Sequence, residues 1–132
     1  MAARNYWVCT TRPDGRPHAM PVWGLWLAGG VAFSTDPASR KGRNLAAQPY
    51  AVVHLESGDD VVVTEGAVRA LDDPELLRRF ADDYERKYAF RPEPGAEGQA
   101  CYLLQPSVVL AWREVDFPTT ATKWAFAAGA GG

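Results

Sequence analysis

The spacing of the turns constrains this chain more than any other feature. Tyr6–Thr11 is a compact β-branched and aromatic run that stops at Pro13-Asp14-Gly15-Arg16. Asp-Gly supplies the positive-φ residues that a tight hairpin needs, so His18–Trp26 reads as the returning strand, with Gly24 bending it. Ala28-Gly29-Gly30 repeats the signal before Val31–Thr35. Ser57-Gly58-Asp59 repeats it again between Tyr50–Glu56 and Asp60–Leu71, where Val61-Val62-Val63 is too β-branched to favour a helix.

Two segments break this pattern, and both open on Asp-Pro. Asp36-Pro37 offers an N-cap carboxylate followed by a proline pre-set for the first helical position, which predicts a helix to about Ala47, closed by Pro49. Asp73-Pro74 repeats the device. Leu77, Phe80, Ala81, Tyr84 and Tyr88 follow at helical spacing, the stripe of an amphipathic helix that packs on the sheet by one face. Arg91–Gln99, with its prolines and glycines, reads as a surface loop, Tyr102–Glu114 as one or two strands, and Thr122–Phe126 as the last strand. About seven short antiparallel strands with two inserted helices predict a mainly β protein, a closed or nearly closed β-barrel rather than a parallel α/β sheet.

The chain has 132 residues, 47% of them hydrophobic, which is enough for one core and leaves no room for a second domain. The expected domain is residues 1–126, followed by a disordered Ala/Gly tail at 127–132. Fourteen Lys and Arg against sixteen Asp and Glu give a net charge of −2, which argues against a chain whose overall field holds nucleic acid or an anionic membrane. Any anion site must be local. No apolar run reaches the ~18 residues of a membrane span and no signal peptide precedes the first strand, so the expected compartment is the cytoplasm.

Chemistry-bearing clusters are few. Cys9 and Cys101 lie far apart in apolar runs and read as buried free thiols. His18 and His54 lack a third ligand at metal spacing, and no serine sits in a nucleophile elbow, so neither a metal nor a catalytic residue is expected. If the chain is an enzyme, a bound cofactor brings the reactivity.

Phe33–Leu45 is the most informative segment. A strand end with two hydroxyls, Ser34 and Thr35, runs into a helix start bearing Ser39, Arg40, Lys41 and Arg43, and no acidic residue lies between Asp36 and Glu56. Free backbone N–H groups, a partial positive charge and three cations together suit a phosphate. The competing readings are a solvated helix face and a nucleic-acid patch. In His18–Trp26 the internal Pro21 leaves a gap in the ladder, which frees backbone groups to meet a planar ring edge. The alternative there is an edge strand with core Trp23 and Trp26.

Taken together, Tyr6–Trp23, Phe33-Ser34-Thr35 and Ser39-Arg40-Lys41-Gly42-Arg43-Asn44-Leu45 resemble the pyridoxamine-phosphate-oxidase-like split-barrel family. The resemblance is greatest to its deazaflavin-dependent reductase branch. It extends through His54–Asp60, the Asp83-Tyr84-x-x-Lys87-Tyr88 helix end, and Trp112–Phe126. It implies a split β-barrel of the FMN-binding type, forming a homodimer with a cofactor in each of two grooves at the subunit interface. The implied cofactor is coenzyme F-420, with FMN in sister branches. Ser34, Thr35, Ser39, Arg40, Lys41, Arg43 and Asn44 would hold its phosphate, and the backbone around Met20, Pro21, Val22 and Trp23 would border the ring. Lys123 and Trp124 would reach the same groove from the second subunit. The implied activity is hydride transfer from reduced F-420 to a conjugated, electron-poor small molecule; the alternatives are an FMN-dependent oxidase-like enzyme and a non-catalytic cofactor or haem binder. One departure is the N-terminus, where relatives carry a further helix before the Tyr-Trp strand.

Overall fold

Each hairpin signal folds as a hairpin. In the computed structural model, which describes residues 5–93, 99–113 and 122–125, Gly15 takes φ +87° and donates its N–H to the Arg12 carbonyl at 2.8 Å. This turn joins β1 (Asn5–Thr11) to β2 (Pro17–Leu27). Ala28 and Gly29 both adopt positive φ, 51° and 79°, as a primed turn requires, and lead into β3 (Gly30–Thr35). Next come α1 (Arg40–Ala47), the hairpin of β4 (Tyr50–Leu55) and β5 (Asp60–Ala70), α2 (Pro74–Tyr88), β6 (Ala100–Arg113) and β7 (Thr122–Ala125). The tail at 127–132 and most of the loop after Arg91 lie outside the described residues.

The strand order is β3-β2-β1-β4-β5-β6-β7, and a further pairing of β3 with β6 closes six of these strands into an antiparallel barrel. Where one or two strands were expected after Gln99, the described residues form the single strand β6: its first part, Ala100–Leu104, pairs with β3, and Val108–Ala111 pairs with β7. The alternation of each strand sorts its side chains between two clusters. Val31, Phe33 and Leu104 join Tyr6, Val8 and Val53 inside the barrel. Their neighbours Ala32, Cys101 and Leu103 face outward with Leu25 and Leu27, where Phe80 of α2 covers them.

Two expectations need correction. Asp36 does not cap α1. Its carboxylate accepts the Ala38 N–H at 2.8 Å and its carbonyl accepts the Ser39 N–H at 3.0 Å, because Asp at the first and Pro at the second position also suit a type I turn. Ser39 is the cap, accepting the Gly42 N–H at 3.1 Å, and the helix starts at Arg40. The second Asp-Pro behaves as expected: the Asp73 carboxylate accepts the Glu75 N–H at 2.9 Å. Cys101 is buried but Cys9 is only half-buried, since Tyr6, Val8 and Thr10 take the inward positions of β1. Trp26, a core residue only in the alternative reading of this strand, is 36% exposed.

The last turn of α2 holds β2 at Gly24. The Tyr88 hydroxyl accepts the Gly24 N–H at 3.0 Å and donates to the Gly24 carbonyl at 2.8 Å, while Lys87 Nζ donates to the same carbonyl at 2.7 Å and to the Tyr6 hydroxyl at 3.3 Å. Burial, with neighbouring Tyr88, pushes the Tyr6 phenol from 10.0 up to about 12. A raised folded value means that this contribution is fully present below pH 10 and is lost as the pH climbs to about 12. The urea midpoint is therefore expected to fall across that window, and the fall should be shallower in Tyr6→Phe; equal slopes in the two proteins would contradict this assignment.

Candidate cofactor-binding site

β2 changes partners along its length. Pro17–Trp23 pairs with β1, whereas only Gly24–Leu27 pairs with β3. Among the described residues the other edge of Pro17–Trp23 carries no strand, and Pro21 sits within this open stretch. Met20 is exposed and Val22 packs against the barrel core. The Trp23 indole lies flat on Tyr88, with ring centroids 4.6 Å apart and planes 3° from parallel. Its side chain thus belongs to the contact with α2, and its backbone to the open strand.

α1 covers the barrel end beside this opening. Leu45 enters the inner core, and Asn44, fully buried, donates through Nδ2 to the inward hydroxyl of Thr10 at 3.0 Å. Gly42 makes the close docking of the helix possible. A Cβ there would lie 2.6 Å from the Asp36 carbonyl oxygen and from Cα and O of Pro37.

The docked helix carries the cations into place. Arg40 and Arg43 are exposed, but Lys41 is only 9% exposed. Among the described residues neither these three nor Arg12 forms an ion pair, while Arg16, Arg78, Arg86 and Arg91 each reach a carboxylate. Burial holds the Lys41 ammonium below the usual lysine range. Three polar atoms of the same region are buried without a hydrogen-bond partner: Arg12 Nε, His18 Nδ1 and Asn44 Oδ1. His18 is held below the ordinary histidine value by desolvation and then by the charges of Arg12, Lys41 and Arg40. These four side chains therefore share one field.

The expected phosphate residues divide accordingly. Lys41, Asn44 and Arg40 surround this cluster, with Arg43 on the outer surface of the same helix. The Ser39 hydroxyl is engaged as the cap, donating to the Asp36 carbonyl at 2.6 Å and sharing a 3.5 Å contact with Thr35. Ser34 stands opposite Cys101 and its hydroxyl bonds that thiol, partly offsetting the upward push of burial. Lys123 and Trp124 are exposed on β7, paired with Leu110 and Val109 farther along β6 than the stretch that joins β3. The sequence does not single out Arg12 or Thr10 as site residues, and it offers His18 only as a metal ligand lacking its partners. For Thr10 and His18 the sequence signal is weak, two polar residues opposite each other on paired strands, and Arg12, just past the end of β1, has none.

No helix among the described residues is long and apolar enough to cross a membrane, and no three His, Cys, Asp or Glu among them are grouped to hold a metal ion.

Comparison with known proteins places this geometry in context. Residues 2–113 match the family model described as pyridoxamine 5'-phosphate oxidase. No curated protein matches the chain in sequence. Among solved structures, a haem-binding protein from Mycobacterium smegmatis is similar at 18% identity and TM-score 0.74, covering 94% of this chain and 53% of the other, so that this chain spans about half of that protein. An F420 reductase is similar at 22% identity and TM-score 0.65, covering 81% of this chain and 89% of that one. A pyridoxamine 5'-phosphate oxidase-related, FMN-binding protein from Nostoc punctiforme is similar at 16% identity and TM-score 0.63, covering 96% and 88%. At these identities the likeness is one of fold.

Two substitutions test the site as built. Gly42→Ala is expected to destabilise by about 1–3 kcal/mol through overpacking, although alanine is the better helix former by about 1 kcal/mol; a more stable variant in urea denaturation would contradict the close docking. Lys41→Met should raise stability by on the order of 1 kcal/mol, because it removes a buried cation that has no counter-charge. A lowered urea midpoint would show that the ammonium is paired.

Proposed function

The chain belongs to the pyridoxamine 5'-phosphate oxidase family, and from that premise we propose that it is an oxidoreductase that uses reduced coenzyme F-420 to reduce a conjugated, electron-poor small molecule. The observation that carries this reading is the buried, unpaired Lys41 beside Arg40 and Asn44 at the start of α1. A buried ammonium without a carboxylate is costly, and a phosphate supplies the missing charge and hydrogen-bond acceptors. The residues present fit a phosphate on this ground. Arg40 and Arg43, exposed and without ion pairs among the described residues, would meet the anionic tail that F-420 carries beyond its phosphate.

The bound deazaflavin would supply a hydride to the acceptor, with solvent completing the reduction by a proton. This chain's part is binding and orientation. Lys41, Arg40 and Asn44 would anchor the phosphate. The open backbone edge of β2 around Met20, Pro21, Val22 and Trp23 would face the ring. Lys87 and Tyr88 would keep that edge in place through Gly24.

FMN is the second reading. It is favoured by the family match and by the FMN-binding neighbour, and it shares the phosphate anchor. We further propose that two copies of the chain form a homodimer enclosing the cofactor. Large exposed apolar side chains, among them Met20, Tyr50, Phe90 and Trp124, suit such a contact, and Lys123 and Trp124 would then belong to the partner's groove.

Fluorescence titration with F-420 and separately with FMN tests the reading. Micromolar F-420 binding, with FMN weaker and Lys41→Met binding F-420 about tenfold or more weakly, is the expected result, followed by F-420 oxidation with an electron-poor acceptor. Preferential FMN binding would move the protein to the flavin reading. Binding of F-420 without turnover over a broad acceptor panel would make it a carrier, and no binding of either would overturn both cofactor readings.

A further inference from the structure

The mouth of the barrel between the β1–β2 hairpin and α1 holds more unpaired polar groups than Lys41 alone requires. Asn44 is 0% exposed and its Oδ1 has no partner. Arg12 Nε and His18 Nδ1 are likewise buried and unpaired. An orphaned buried polar atom is disfavoured unless something meets it. Thr10 joins the two sides: its hydroxyl receives the Asn44 amide, and its backbone stands in register with His18. An amide rotated by half a turn would accept from the Thr10 hydroxyl and present its NH2 donors to the cluster instead.

From this geometry we infer that Arg12 and His18 complete the phosphate site of α1 and that His18 binds a proton together with the phosphate. The inference rests on the proposed reading of this site as a phosphate anchor and extends it to two residues of the β1–β2 arm.

The charges around His18 give the reason. Arg12 approaches from the hairpin end and Arg40 and Lys41 from α1, and all three disfavour an imidazolium, as does desolvation. Of the carboxylates on the adjoining turns, Asp14 pairs with Arg16 at 2.8 Å and Asp36 accepts the Ala38 N–H. Without a ligand these influences hold His18 toward its neutral form. A phosphate oxygen that meets Nδ1 directly would offset the charges of Lys41, Arg12 and Arg40 and favour the imidazolium, whose Nδ1 donates to it. Uptake of the proton adds one positive charge at the moment the anion arrives.

The sequence has only two histidines, so proton NMR of the full chain reads both rings directly. His54 is the internal reference: it stacks on Trp7 at 6.3 Å and its Nδ1 lies 2.8 Å from the Leu55 carbonyl. The resonances are assigned with His54→Gln, or by difference with His18→Gln. Inorganic phosphate and FMN are each expected to raise the titration midpoint of His18 by about one pH unit or more, and to leave His54 unmoved. Riboflavin, which lacks the phosphate, should not shift His18. In wild type, but not in His18→Gln, anion binding should be accompanied by proton uptake.

FMN or F-420 binding with an unmoved His18 would overturn this inference and leave the cofactor reading standing. A phosphate-induced shift of His18 without binding of either cofactor would support the inference and sink that reading. No response to inorganic phosphate or to either cofactor would overturn the inference too. If His18→Gln does not fold, the wild-type titrations alone decide.

Discussion

The pairing of β3 with β6 makes an interior out of what would otherwise be an open sheet with β3 as a free edge. Val31 and Leu104 stand opposite each other across that pairing and face inward, while Ala32 and Leu103, one residue along, face outward under α2. One ladder thus supports both hydrophobic clusters at once. It also decides where the chain leaves the barrel. Thr35 ends β3 opposite Ala100, the Asp36-Pro37 turn follows immediately, and α1 has to begin at the barrel rim.

That rim is where the structure tolerates groups that a purely structural barrel would avoid. Among the described residues Lys41 is buried without a carboxylate, and Arg12 Nε, His18 Nδ1 and Asn44 Oδ1 lack partners. Each is unfavourable by itself, and the well-packed barrel below offsets them. The opening beside them has an equally specific cause. β2 runs with β1 as far as Trp23 and with β3 only from Gly24, so the sheet parts at that residue. Tyr88 and Lys87 satisfy the Gly24 N–H and carbonyl at the point where the strand changes partners. The Trp23–Tyr88 stack adds a side-chain contact from the same end of α2. The split in the barrel and the helix that secures it are one arrangement.

The two Asp-Pro pairs show where sequence reading succeeded and where it stopped. Asp73 caps its helix, because an amphipathic stripe begins within one turn of it and packing rewards an early start. Asp36 has the same local chemistry but closes a turn, because Gly42 must lie against Asp36 and Pro37 for α1 to dock, which delays the helix until Ser39. Cys9 and Cys101 both sit in apolar runs, but only the second falls on a covered face of its strand. The cation run of α1 was legible in the sequence, with no acidic residue between Asp36 and Glu56. That Arg12 and His18 share its field was not, because nothing local links a hairpin to a helix some thirty residues later.

What the sequence by itself determined was therefore everything set by neighbours along the chain: the hairpin turns at Asp14-Gly15 and Gly29, the alternation of the strands, the stripe of α2, and the cationic start of α1. These follow from backbone preferences and side-chain periodicity, which act over a few residues. Only the tertiary structure decided which strands close the barrel, which face each side chain takes, and which polar groups lose water when α1 covers the barrel mouth. Burial and unpaired charge are properties of distant segments brought together, and the candidate site is made of them.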